Sequence, residues 1–232
     1  MAEARPVKEQ YGWQARMLLR ACRQATLATV SAGQPCAALV TPATTAGCEV
    51  LLLLSDLSEH TRHLRAEPRC ALLVIGEAAE ANPQTTPRVS FTGTAAEVGD
   101  KPGLMRRYLA VHPYAGLYAG FSDFKLWRFT PAGAYLVGGF ARASHFSAAQ
   151  LLPDPAITQA IEDELRALPA SRMRQLVDRI GPGGGGWRFA GADLDGIDLV
   201  SDTGERSVRV SLRAPILAGE SLMGALENLI AL

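Results

Sequence analysis

One short segment carries the side chains best suited to bind an anion. Ser58, His60, Thr61 and Arg62 follow closely on an apolar run that ends before Ser55. Ser58 suits a helix N-cap, and the free N–H groups at a helix start favour anions. His60 and Arg62 can add positive charge. The segment therefore suits a phosphate group, although Ser58 could merely cap a helix whose His60 and Arg62 lie in solvent.

Other patterns that could support chemistry are weaker. His60 and His63 have the i, i+3 spacing of two metal ligands, but no third ligand is visible and no metal is expected. The four cysteines lie far apart without C-x-x-C spacing, which argues against zinc and against a disulfide framework. Gly183–Gly186 lacks the Gly-Lys-Ser/Thr of a phosphate-binding loop. No Ser-His-Asp or Cys-His set can be assigned, so catalytic residues stay unknown.

Composition limits the classes of partner. Lys plus Arg and Asp plus Glu both number 23, so the formal net charge is zero and nucleic acid is not an expected partner. The N-terminal residues have no apolar core of the kind that a secretory signal needs. The longest apolar run, Val50–Leu54, is too short to cross a membrane. These features predict a cytoplasmic protein with reduced thiols and no membrane contact.

The elements that must position the anion-binding segment are mainly strands. Helical spacing predicts an amphipathic first helix ending near Arg23, a short helix over Ser58–Ala66, and a third over Lys101–Val111. Alternation and apolar runs predict six or seven antiparallel strands, which suggest a barrel. The predicted strands are Ala25–Ser31, Cys36–Thr41, Glu49–Leu54, Cys70–Ile75, Arg88–Glu97, and a hairpin of Phe124–Phe129 with Ala134–Val137 through Thr130–Gly133.

The rest of the chain has a different pattern of predicted elements. Ser144–Pro155, with prolines at 153 and 155, reads as a linker. Beyond it the pattern predicts two helices, three short strands and a last helix from about Glu220. The predicted domains are 1–150 and 151–232, and the fold class is mainly β with α+β: a split β-barrel plus a small C-terminal α+β domain. The predicted C-terminal elements are Ala156–Leu168, Ser171–Ile180, Trp187–Ala190, Gly196–Ser201 and Arg206–Leu212.

Three stretches taken together resemble a known family. They are Ala25–Val40, Leu54–Leu73 with its S-x-L-x-x-H-T motif, and Arg107–Ala143 with its V-G-G-F-x-R-A motif. In order and spacing they resemble the pyridoxamine 5′-phosphate oxidase-like FMN-binding split barrels, and within these the HugZ-type haem-utilisation proteins. The resemblance covers roughly residues 10–145, and the motifs are moderately specific only as a set.

The resemblance implies a homodimer with FMN in a groove between two subunits. The cofactor-binding residues that it implies are Ser55, Ser58, His60, Thr61, Arg62, Arg88 and Arg142. The first five would lie near the FMN phosphate, and Arg88 begins a strand that in relatives approaches the flavin from the partner subunit. A surface arginine is the alternative for both Arg88 and Arg142.

The chain departs from the family pattern in two places. The second strand, with Ala38 where relatives commonly have serine, carries no charge, which argues against oxidation of a phosphorylated vitamer. No histidine follows His145, no cysteine follows Cys70 and no tyrosine follows Tyr135, so the C-terminal domain cannot ligate haem iron through these side chains. Three hypotheses follow: an FMN-dependent oxidoreductase of unknown substrate, a haem-binding or haem-degrading protein, or a dimeric scaffold that has lost its cofactor.

Overall fold

The computed structural model describes residues 7–78, 80–138, 143–183 and 185–230. In chain order the elements are α1 (Val7–Ala21), β1 (Ala25–Ser31), β2 (Gln34–Val40), β3 (Ala43–Thr44), β4 (Val50–Ser55), α2 (Glu59–Ala66), β5 (Arg69–Ile75), β6 (Arg88–Glu97), α3 (Pro102–Val111), β7 (Phe124–Val137), β8 (Ala143–Ser147), α4 (Ala148–Leu151), α5 (Pro155–Ala167), α6 (Ala170–Ile180), β9 (Trp187–Asp193), β10 (Gly196–Ser201), β11 (Ser207–Ser211) and α7 (Leu222–Ile230). Single 3-10 turns cover Pro83–Thr85 and Pro113–Leu117.

The barrel unit comprises residues 1–44, 49–101 and 118–152. Its antiparallel strands run in the order β2-β1-β5-β6-β7-β4-β3, and β8 pairs with β7. Alternate residues point to opposite sides of a strand, so each strand supplies one apolar row to the core. Residues of these rows such as Leu27, Leu72, Phe91 and Phe129 have no exposed surface. The mainly β, α+β split-barrel fold class predicted from the sequence is therefore confirmed.

The segment predicted as a linker is structured. Residues 144–155 contain most of β8 and all of α4. Phe146 and Leu151 are buried, and the carbonyl of Leu151 accepts a hydrogen bond of 3.1 Å from Arg16 of α1. The linker prediction was wrong because two buried apolar side chains are too few to show a period next to Pro153.

The predicted hairpin around Thr130–Gly133 is also wrong, because β7 is one continuous strand. Gly93 pairs with Pro131 and Thr92 pairs with Gly133, which leaves Ala132 opposite no residue of β6. This is a β-bulge, and a bulge tolerates a proline that a regular ladder would not. The Pro-Ala-Gly sequence, typical of a turn, here marks the bulge.

The second unit comprises residues 45–48, 102–117 and 153–232. Its sheet runs β11-β10-β9, and residues from the helices and strands share one core. The segment 102–117, which contains α3, groups with this unit, whereas the sequence analysis placed it in the barrel domain. Among the described residues, no helix is long and apolar enough to span a membrane.

Candidate cofactor site on the barrel

The turn between β4 and α2 is held by Ser55. Its hydroxyl donates to Asp123 Oδ2 at 2.7 Å and accepts the N–H of Leu57 at 3.1 Å. The N–H of Asp56 donates to the carbonyl of Asp123 at 2.7 Å. Ser55, predicted as a cofactor ligand, therefore has a structural function in shaping the turn.

Ser58 occupies the predicted N-cap position of α2 in extended backbone conformation, with φ −75° and ψ 142°. Its side chain makes no capping hydrogen bond, so the capping bond that the sequence suggested is not formed. Arg62 instead closes the first turn through its backbone N–H, which donates to the Ser58 carbonyl at 3.3 Å. The Ser58 hydroxyl thus contributes no bond to the helix start.

The two cationic candidates differ in their surroundings. Arg62 is 58% exposed, and its Nη1 donates to the Leu57 carbonyl at 3.1 Å, while Glu59 lies 3.9 Å from its Nη2. Burial and the neighbouring His63 lower the pKa of His60. This shift favours the neutral imidazole and works against a cationic function of His60 at the anion site.

Thr61 is fully buried, and within the described part of the chain its hydroxyl has no hydrogen-bond partner. Buried hydroxyls are nearly always bonded, because desolvation without a bond is costly. On the same helix, His63 Nδ1 lies 3.1 Å from the hydroxyl of Thr29, a buried residue of β1. The helix therefore packs on the inner side of β1, and the hydroxyl of Thr61 is a polar group that a ligand could satisfy.

Arg88 lies on the opposite side of the sheet from this segment. In β6 it pairs with Ile75 and Val137, and its Nη1 donates to the carbonyls of Gln84 at 2.9 Å and Thr86 at 3.2 Å. The structure therefore does not bring Arg88 together with α2 within one chain. Arg142 lies outside the described residues.

The sheet side that carries Arg88 forms an open face across β2, β1, β5, β6, β7 and β8. One row of directly paired residues crosses it, and the next row consists of small side chains. We call these two rows the open sheet face: Leu39, Thr26, Leu73, Ser90, Tyr135 and His145, with Ala37, Ala28, Ala71, Thr92, Gly133 and Ser147. Leu39 is 71% exposed and Tyr135 is 39% exposed. The two rows contain no charged side chain, and their exposed members include the large side chains of Leu39 and Tyr135, which makes this face a candidate binding site.

Sequence reasoning missed the pair at one end of this row. Tyr135 and His145 are direct cross-strand partners, and their rings stack with centroids 4.3 Å apart and planes inclined by 28°. His145 was assigned to a linker. Only Phe146 of this strand is buried, and the sequence Ala-Ser-His-Phe-Ser shows no alternation of polar and apolar residues, so no local signal identified it.

The second unit holds a buried charge cluster rather than a reactive site. Arg209 donates to Asp198 Oδ2 at 3.0 Å and to Asp193 Oδ1 at 2.5 Å, and Arg107 of α3 lies 3.8 Å from both carboxylates. All four side chains are largely buried. Within the described residues, no group of histidine, cysteine and carboxylate side chains could hold a metal ion.

Known proteins share this architecture and sequence. The family model of pyridoxamine 5′-phosphate oxidase matches residues 13–138, more than half of the chain. The chain therefore belongs to this family, which confirms the resemblance drawn from its motifs.

Two of the similar proteins are haem proteins by name. The chloroplastic heme oxygenase HOZ of Arabidopsis thaliana is 34% identical over 113 residues, which are 48% of this chain and 34% of that protein. The chain thus covers about a third of the length of this curated relative. The structure of a heme binding protein from Mycobacterium smegmatis shares 27% identity with a TM-score of 0.59, covering 99% of this chain and 98% of that one. A crystal structure of Atu2129 from Agrobacterium tumefaciens, of unknown function, shows the same fold, with TM-score 0.71, 24% identity and coverage of 96% and 95%.

Proposed function

We propose that this protein binds haem on the open sheet face of its barrel unit and acts as a homodimer. The observation that carries the proposal is the similarity to the mycobacterial heme binding protein, which extends over nearly the whole of both chains. The partial match to a plant heme oxygenase supports the same ligand class. The name of that relative also motivates a test for haem degradation by the bound complex.

The open sheet face suits a flat, largely apolar ligand. Its exposed row contains Leu39, Leu73 and Tyr135, and the neighbouring row has small side chains that leave room above the sheet. Burying apolar surface contributes roughly 25 cal/mol per Å². Because the chain has no histidine after His145, an imidazole ligand for iron must come from the first 145 residues.

Dimerisation is part of the proposal, because a second copy would cover the part of this face that a bound ligand leaves open. Obligate homodimer interfaces typically bury more than about 2,000 Å² in total and are rich in apolar residues. Leu73 lies near the middle of the paired rows, so Leu73→Glu should disrupt the interface. Leu217→Glu is the matched control, since Leu217 is 48% exposed in the other unit.

We also propose a reducing, cytoplasmic location, because no disulfide joins the cysteines of the described residues.

Two measurements on the full-length protein test this function. Titration with ferric haem should give a saturating Soret shift at one haem per chain or fewer, and sedimentation should give a dimer. Leu73→Glu should yield monomers that bind haem more weakly, whereas Leu217→Glu should behave as wild type. A wild-type monomer at micromolar concentration, or a haem titration without saturation, contradicts the proposal. Loss of the Soret band with reductant and oxygen would add degradation to binding.

A second candidate is FMN binding at the start of α2, which the unsatisfied hydroxyl of buried Thr61 favours. Ser58 and Arg62 would help to hold the phosphate, and FMN would supply hydride or electron transfer at its ring. Arg62→Ala should then weaken FMN roughly ten- to a hundredfold and leave riboflavin unaffected, because charge-assisted bonds to the phosphate are lost. Ser58→Ala should cause a smaller loss. Equal losses for FMN and riboflavin would exclude a phosphate site here, and no flavin retained by the purified protein would exclude this candidate.

A further inference from the structure

Tyr135 and His145 form a stacked pair of rings on the open sheet face. The two residues are cross-strand partners of β7 and β8, with ring centroids 4.3 Å apart. Both lie on the open sheet face, and His145 is exposed. Stacking against the tyrosine fixes the plane of the imidazole, while one ring edge stays accessible from above the sheet.

The other three histidines are less suited to bind iron. His112 is 1% exposed, and its Nδ1 lies 3.2 Å from the hydroxyl of Tyr114. His63 contacts Thr29 on the inner side of the sheet, and His60 is half-buried beside it on α2. None of these three lies on the open sheet face. His145 is therefore the imidazole that a planar ligand on this face would meet.

Arg88 is a cationic side chain on the same side of the sheet as His145. Arg88 pairs with Val137, and Val137 pairs with Ala143, two residues before His145. Strand spacing and rise place the Cα atoms of Arg88 and His145 about 12 Å apart. The Arg88 guanidinium is anchored through Nη1, and a guanidinium has five N–H donors, so it can still bind a carboxylate. A ligand whose centre lies over His145 could thus reach Arg88 with an acidic side group.

We propose that His145 would bind haem iron through its imidazole, that Tyr135 positions this imidazole, and that Arg88 would bind a carboxylate side group of the haem. This inference rests on the proposed haem function and specifies its site. His145 would supply a neutral imidazole nitrogen to ferric iron, and this binding needs no change of oxidation state. The second imidazole nitrogen keeps its proton.

The test combines haem titration with visible and electron paramagnetic resonance spectra of the full-length protein. His145→Ala should abolish the nitrogen-ligated signature of the wild type and weaken haem by about tenfold or more. Added imidazole should restore that signature. Ser144→Ala is the matched control, because Ser144 is the neighbouring residue of β8 and points to the other side of the sheet. Tyr135→Phe should retain the wild-type spectrum, whereas Tyr135→Leu should broaden or shift it.

The outcomes separate this inference from the function on which it rests. If wild type and His145→Ala bind haem with the same affinity and spectrum, the ligand assignment is overturned and haem binding stands. If the wild type gives no saturable Soret shift, both are overturned. A His145→Ala protein that still dimerises and shows wild-type circular dichroism, but has lost the imidazole-rescuable spectrum, supports the assignment.

Discussion

Replacing Arg209 with alanine should selectively destabilise the C-terminal unit. The guanidinium is 2% exposed and bonds two carboxylates, those of Asp193 and Asp198, which are 0% and 4% exposed. Burial alone would lower the pKa of Arg209, but Asp193 and Asp198, together with Asp195, raise it overall, so the side chain stays charged. Its removal leaves the carboxylates of Asp193 and Asp198, and the buried Asp195 nearby, with Arg107, at 3.8 Å from the first two, as the remaining arginine of the cluster.

The size of the effect follows from this imbalance. Removing one partner of a buried ion pair typically costs about 3–5 kcal/mol, because the remaining charge has lost both solvent and partner. Small domains have a total stability of about 5–15 kcal/mol. The variant should therefore lose at least about a fifth of the stability of the unit, and a marginally stable unit would unfold.

Hydrogen exchange measured by mass spectrometry can resolve the two units. Peptides from β9 to β11 should lose protection in Arg209→Ala, while peptides from β5 and β6 should exchange as in wild type. Arg174→Ala is the control in the same unit, because its pair with Asp178, at 3.3 Å, is 57% exposed on the arginine side. Exposed pairs contribute less than about 1 kcal/mol, so this variant should exchange as wild type.

The same small loss of exchange protection in Arg209→Ala and Arg174→Ala would contradict a stabilising role for the buried charge cluster. A double variant gives an independent check. Adding Asp198→Asn to Arg209→Ala removes one uncompensated charge and should recover part of the lost stability, whereas independent sites would give additive losses. Further loss in the double variant would show that burial of charge is not the source of the effect.

Three further predictions concern stability and thiol chemistry. Gly93→Ala should cost about 1–3 kcal/mol in urea unfolding, because the added Cβ would collide with the Thr130 carbonyl beside the bulge; an unchanged midpoint would contradict this. Burial raises the pKa of both Cys22 and Cys70 to about 12, so both should react slowly with thiol reagents at pH 8 until the chain unfolds. The pKa of each thiol is higher in the folded chain than in the unfolded chain, so the protonated thiols stabilise the fold fully below about pH 9. This stabilisation is lost as the pH rises towards 12. Unfolding midpoints measured across this pH range test the expectation. Truncation after Leu152 should expose the segment 102–117, which groups with the second unit, and retained exchange protection of that segment would refute this.

Local patterns predicted the strands well, because each strand buries one row of side chains. The predicted bounds of Arg88–Glu97 and Gly196–Ser201 agree with β6 and β10. Helix α2 begins where Ser58 indicated, but whether a hydroxyl makes a capping bond depends on its rotamer and neighbours. The contact of Ser55 with Asp123 joins residues far apart in the chain, and no local pattern contains it.

The grouping of the second unit was also beyond local patterns. Helix α3 is amphipathic and lies between β6 and β7 in the chain, so chain order suggested the barrel domain. Its place is determined by Arg107, which lies near Asp193 and Asp198 of a sheet formed much later in the chain. The added Cβ of an alanine at Gly191 would collide with the Arg107 guanidinium, so strand β9 itself accommodates this side chain. Such pairings become visible only when the sheet is assembled.

The bulge at Ala132 links the error in the hairpin prediction to the proposed site. Before the bulge, Phe129 and Pro131 point into the core, and after it Ala134 and Leu136 do. A shift of one residue exchanges the two sides of a strand. Without the bulge, strict alternation from Pro131 onward would point Tyr135 inward, and the ladder could not present it beside His145 on the open sheet face. The sequence feature that resembled a turn is therefore what places the tyrosine and, through the pairing of β7 with β8, the histidine where a planar ligand could reach them.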